Sequence, residues 1–166
     1  MKKIGKLISA VPAVTWAYVI WLFSDTPAAA STDESITVTE ILLNLVSHFY
    51  AVGPEKKAAL IAAMEPHIRK IAHMTEFGIL FLLLMIPAGL LVRKLASRTG
   101  IVFFVSFLYA CSDEIHQLFV EGRAGRASDV LIDMLGVAAA ALVYLLFAIP
   151  INLKKEKTAG KKSVDK

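Results

Sequence analysis

Two short runs set ionisable side chains into otherwise apolar sequence. One, between residues 109 and 133, carries Asp113, Glu114, His116, Gln117, Glu121, Arg123, Arg126, Asp129 and Asp133. The other reads His67-Ile68-Arg69-Lys70-Ile71-Ala72-His73-Met74-Thr75-Glu76. Both are flanked by sequence apolar enough to cross a membrane. Acids, bases and imidazoles at the border of hydrocarbon are costly to keep, and so imply a task.

Several chemistries fit these residue types. Lys70, Arg123 and Arg126 suit phosphate or an anionic lipid headgroup, arginine through its planar fork. His73 or His116 can move protons, with Asp113 or Glu114 as base or as the group that orients a histidine. Lys70, His73, Glu76, Asp113, Glu114 and His116 are therefore the candidates for catalysis. Gln117, Arg123, Arg126, Asp129 and Asp133 are the candidates for holding a lipid-linked or phosphorylated substrate. No serine elbow and no phosphate-cradling glycine loop accompanies them.

Three alternatives stand beside this reading. His73 with Glu76, and Asp113 with His116, each place two ligand types at i, i+3. With Asp129 or Asp133 they could form a mixed N/O metal site for a hydrolase. A proton or ion relay would also use buried carboxylates and histidines, although four helices would need to oligomerise to form a carrier. Last, the charges could be a network that fixes helix registry, with Lys70 paired to Asp113 or Glu114 and Arg126 to Asp129. That role suits Asp133, Gln117 and Arg126 best. The residues specify no cofactor.

The elements that must position these groups follow from composition. The 166 residues are 57% hydrophobic and 19% charged, with mean hydropathy +0.63. A soluble domain has about a quarter charged residues, so an all-α integral membrane bundle is expected, as one domain over residues 1–153. Charge alternates along the chain. Residues 1–6, 93–98 and 154–166 are basic. Residues 24–65 hold Lys56 and Lys57 against Asp25, Asp33, Glu34, Glu40, Glu55 and Glu65, a balance of 2 − 6 = −4. The positive-inside rule then puts both termini in the cytoplasm of a bacterial inner-membrane protein. No basic face interleaved with aromatics marks a nucleic-acid partner; membrane lipids and a lipid-linked envelope precursor are the expected partners. Cys111, the single cysteine, reads as packing.

Four spans are expected, at about residues 7–24, 66–92, 99–120 and 129–153. Trp16, Tyr18 and Trp21 suit the outer interface of the first. Lys2-Lys3, the apolar run and Pro27-Ala28-Ala29-Ala30 also resemble a signal peptide, but the length and aromatics of the run favour an uncleaved helix. Between spans 1 and 2, Ser31, Thr32, Asp33 and Ser35 offer N-caps. One or two short amphipathic helices should lie there at the interface, the first with a stripe of Val38, Ile41, Leu42, Leu45 and Phe49, the second over 54–64. His48 reads as a surface histidine. Pro66 should begin span 2, Pro87 should kink it, and Ser128 or Asp129 should cap span 4. The basic tail 154–166 is expected to be disordered.

At 1.5 Å per residue, Asp113 lies about 21 Å from the start of its span, Glu76 about 24 Å from the end of its own, and Asp133 about 30 Å from the end of span 4. Three neighbouring helices thus raise carboxylates to nearly one level. Lys70, His73 and Glu76 share a face, as do Asp113, His116 and Gln117, and Asp129, Asp133 and Gly136. Gly136 would let a neighbouring helix approach closely.

With these residues in place, the chain resembles the VanZ-like family of bacterial membrane proteins. The resemblance lies in R-K-I-A-H-M-T-E-F at 69–77, Y-A-C-S-D-E-I-H-Q-L-F-V-E-G-R at 109–123 and D-V-L-I-D-M-L-G at 129–136. Phe23-Ser24, Ser31 and Ser35 are similar to the serine-rich end of the family's first helix. By position the family pattern falls on Lys70, His73, Glu76, Asp113, Glu114, His116, Gln117, Arg123, Asp129 and Gly136. Glu121 departs from it, standing where family members commonly have proline. The resemblance implies a cell-envelope role, and in the name-giving member a link to low-level teicoplanin resistance.

Overall fold

The computed structural model describes residues 2–47 and 53–164. His48, read above as a surface histidine, and Phe49 of the first amphipathic stripe lie outside them. The described residues form five helices and no strand: α1 (Lys2–Ser24), α2 (Ala28–Ser47), α3 (Pro54–Leu91), α4 (Leu95–Gln117) and α5 (Ala127–Val164). Four helical stretches are long and apolar enough to cross a membrane: Ile4–Ser24, Pro54–Leu91, Leu95–Gln117 and Ala127–Ile151. The fold is the expected all-α bundle, and α2 is the additional helix between the first two spans.

Helix α3 is the axis. It packs most extensively on α5, and also meets α1, α2 and α4. The α3–α5 seam is close because Gly136 lacks a side chain. A Cβ there would overlap the backbone of Met74, with the Met74 carbonyl carbon only 2.6 Å away. Gly78 faces the same seam, its notional Cβ 3.2 Å from the Gly136 carbonyl oxygen. Small residues at a helix crossing allow this backbone approach in a bundle that gains little from burying leucine away from lipid. Below the seam, Ile20, Phe77, Leu80, Phe81, Met85, Val102, Ala110 and Val137 form the core.

The structure revises several boundaries. Pro66 does not begin the second span; α3 runs through it from Pro54, and Pro87 is interior as well. The flanking Ala58-Ala59-Leu60-Ile61-Ala62-Ala63-Met64 run is made of strong helix formers, so one lost backbone bond does not end the helix. The expected helix over 54–64 is therefore the first part of α3, and extends it well beyond the length a bilayer core requires, about 30 Å.

Ser31, Thr32 and Ser35 are not N-caps. Helix α2 has already begun at Ala28, and the hydroxyls of Thr32, Ser35, Thr37 and Thr39 donate back to the carbonyls of Ala28, Ser31, Asp33 and Ser35 at 2.7–3.0 Å. Its first turn is held instead by the loop before α5, where the Ala28 N–H donates to the Glu121 carbonyl at 3.1 Å. Ser35, Thr39 and Leu43 are the buried face of α2, while Val38, Ile41, Leu42 and Leu45 point outward.

Helix α4 starts at Leu95, so Ser97 and Arg98 are helical rather than in the turn, and it ends at Gln117 rather than Val120. The expected disordered tail is helical to Val164. Lys154-Lys155-Glu156-Lys157 consists of good helix formers with no breaker, and continues the last span.

Candidate functional site

The polar runs do meet. A cavity of about 340 Å³ opens among α3, α4, α5 and the loop 118–126. Lys70 and His73 reach it from α3, Glu114 and Gln117 from α4, and Asp129 and Asp133 from α5. Arg123 and Arg126 reach it from the loop, and Arg69 joins them.

The walls are fixed largely through backbone. Arg123 donates from Nε to the Thr26 carbonyl at 2.8 Å and from Nη2 to the Phe23 carbonyl at 3.0 Å. One guanidinium thus ties the loop to the C-terminal end of α1 and the turn after it, where the helix dipole favours a cation. Burial, then the nearby Arg69 charge, pull its pKa below the ordinary arginine value, while Asp113, Glu114 and Glu76 oppose them. Arginine titrates so high that it remains a cation. Glu114 accepts the Arg126 backbone N–H at 2.7 Å. Gly122 has φ +72°, the left-handed conformation that lets the loop reverse at little steric cost.

Deeper in, Gln117 donates to Asp113 Oδ2 at 3.0 Å and approaches Ser24 Oγ at 3.5 Å. His73 Nδ1 lies 3.8 Å from Asp133 Oδ1 and 4.0 Å from Glu76 Oε2, within range of charge attraction but longer than a hydrogen bond. One oxygen each of Glu76, Asp113 and Asp133 is buried without a hydrogen-bond partner among the described residues. Helix α1 is held by two further long-range bonds. Trp16 donates to the Glu76 carbonyl at 2.9 Å, and the Tyr109 hydroxyl donates to the Ala17 carbonyl at 2.5 Å. Trp16 therefore turns its indole N–H toward α3.

Eight of the sequence candidates line the cavity: Lys70, His73, Glu114, Gln117, Arg123, Arg126, Asp129 and Asp133. Glu76 and Asp113 lie behind its wall, and His116 leaves it. The imidazole of His116 sits 3.2 Å from Asp25 Oδ1, without hydrogen-bond alignment, and its ring centroid is 5.1 Å from that of Trp21. Ring and carboxylate on α1's end draw it outward. The metal set His73, Glu76, Asp113 and His116 is thus not assembled, and among the described residues no three His, Cys, Asp or Glu side chains group as metal ligands.

The registry pairs are also absent. Among the described residues Lys70 forms no ion pair with Asp113 or Glu114, and Arg126 forms none with Asp129. Asp113 accepts from Gln117 through Oδ2, and Glu114 accepts a backbone N–H, in place of those ion pairs.

Arg69 and Asp25 are not among the site candidates read from sequence, and Ser24 enters there only through the family resemblance. Arg69 pairs with Glu65 and lies 3.4 Å from the Thr32 hydroxyl. A signal existed, because Glu65, Arg69 and His73 recur at i, i+4, i+8. Among the described residues, Glu121 takes part through its carbonyl, which a proline at that position would also supply.

Compared with known families, residues 9–148 match the VanZ/LLP1 family model. The chain belongs to the VanZ/LLP1 family. No curated protein and no solved structure matches it. It is a VanZ-like multi-pass membrane protein, with its polar site where the family-like segments 69–77, 109–123 and 129–136 converge.

Proposed function

We propose that the cavity binds the phosphorylated, anionic headgroup of a lipid-linked cell-envelope component, at the exterior face of the bacterial cytoplasmic membrane. One observation carries this reading. Lys70 and Arg126 line the cavity, both are exposed, and among the described residues neither has an ion-pair partner. Arg123, held by the carbonyls of Phe23 and Thr26, adds fixed positive charge beside them, whereas Arg69 is already paired with Glu65. A phosphate entering between Lys70 and Arg126 gains charge-assisted bonds, while its lipid tail stays between the apolar helices.

The orientation rests on charge. The basic residues Lys6, Arg93 and Lys94 lie at the end of the bundle opposite the cavity, and positive residues favour the cytoplasm. His73 supports an acid–base role within the same site, because it stands at the wall between Asp133 and Glu76. Lowered susceptibility to lipoglycopeptides such as teicoplanin is the phenotype this reading carries over from the family resemblance.

Titration of the purified protein with a polyprenyl phosphate and with the uncharged polyprenol of equal length tests the proposal. The phosphate should bind at least ~100-fold more tightly, as about two charge-assisted bonds imply. Equal affinity for the two lipids would refute it. A His73→Ala variant that still binds the phosphate but loses any conversion of it would support the acid–base role; unchanged conversion would remove that role.

A further inference from the structure

The opposite end of the bundle holds a second cation in unusual surroundings. Arg98, in the first turn of α4, borders a groove of about 470 Å³ formed with α3 and α5. The remaining described walls are apolar or aromatic: Leu82, Val143, Tyr144, Phe147, Ala148 and Ile151, with no acidic residue among them. The Arg98 guanidinium carbon stands 5.9 Å from the Tyr144 ring centroid. Its Nε is buried and has no hydrogen-bond partner among the described residues. A ring face offsets part of the cost of holding a cation in an apolar groove, but leaves that N–H without an acceptor.

The wall defines what would supply the acceptor. Val143, Phe147 and Ile151 recur at i, i+4, i+8 and make a continuous apolar strip along α5. All three are exposed on a helix long enough to cross a bilayer. The occupant must therefore carry an anion at one end and hydrocarbon at the other. A free phosphate would satisfy the guanidinium and leave the strip bare. A zwitterionic lipid would bring its own cation to a groove whose described lining holds no carboxylate to meet it.

We propose that this groove is a binding site for an anionic phospholipid, with Arg98 on the phosphate and one acyl chain along Val143, Phe147 and Ile151. It is separate from the polar cavity and independent of what that cavity binds. Gly89 tunes it, because a Cβ there would stand 3.0 Å from Arg98 Nη1, at the tip of a flexible side chain. Gly89→Ala should displace the guanidinium and leave the backbone in place.

Native mass spectrometry of the full chain in detergent tests the site, with phosphatidylglycerol, phosphatidylcholine or inorganic phosphate added. Wild type should retain phosphatidylglycerol roughly tenfold more strongly than phosphatidylcholine. Arg98→Gln and Gly89→Ala should lose that preference, while Arg93→Gln, which removes the same charge from the neighbouring turn, should keep it. Equal losses in Arg98→Gln and Arg93→Gln would reduce the effect to surface charge and overturn the proposal. So would retention of phosphatidylcholine equal to that of phosphatidylglycerol, or displacement of the lipid by inorganic phosphate. If Arg98→Gln does not fold, Gly89→Ala decides: an unchanged preference contradicts the site.

Discussion

The two ends of this bundle treat charge differently. At the cavity end, acids and bases from three spans and a loop converge, and several are tied to backbone: Arg123 to the end of α1, Glu114 to the N–H of Arg126. At the other end Arg98 rests on a tyrosine ring in an otherwise apolar groove. Charges engaged by main chain hold the loop and α1 in position, while Lys70 and Arg126 have no ion-pair partner among the described residues; the proposed binding role rests on that difference. A network built only for stability would pair Lys70 and Arg126, since an unmatched charge near hydrocarbon is costly.

Substitutions can break or sharpen that contrast. The largest effect should come from the seam that supports both ends. Gly136→Val drives a side chain into the Met74 backbone and should destabilise the protein by about 3 kcal/mol, read as lost folded protein in detergent-unfolding curves. Tolerance of valine would mean that α3 and α5 are not so close. Next, Arg123→Ala removes one bond to the last turn of α1 and one to Thr26 just after it, and should cost about 2 kcal/mol in the same assay.

Trp16→Phe keeps the ring and deletes one donor to the Glu76 carbonyl, an expected loss of about 1 kcal/mol. Smallest is Arg98→Ala, where only a ring contact is lost: about 0.5 kcal/mol in lipid-free detergent. If Arg98→Ala proved as damaging as Arg123→Ala, the two ends would not differ as described.

Much of this was legible in the chain. The level of Glu76, Asp113 and Asp133 followed from helical rise, and the role of Gly136 from its spacing after Asp129 and Asp133. The VanZ-like segments pointed to the same residues. Helix rotation was not legible. Spacing put His116 on a face with Asp113, but Asp25 and Trp21, about ninety residues earlier, draw its ring outward. Nor could sequence show that Trp16 caps a carbonyl sixty residues away, or that the Glu121 carbonyl holds the start of α2. Pro66 misled because proline reads as a boundary, whereas the alanine-rich flank carries the helix through it. Each miss depends on which distant element lies opposite, and local periodicity does not encode that.

The most direct measurement is the affinity of a polyprenyl phosphate for wild type and for the double variant Lys70→Gln/Arg126→Gln, with folding checked by the same unfolding curve. The uncommitted-cation account predicts an unchanged unfolding midpoint and an affinity lowered at least ~100-fold. An unchanged affinity, or a double variant that simply unfolds as a broken ion-pair network would, contradicts it.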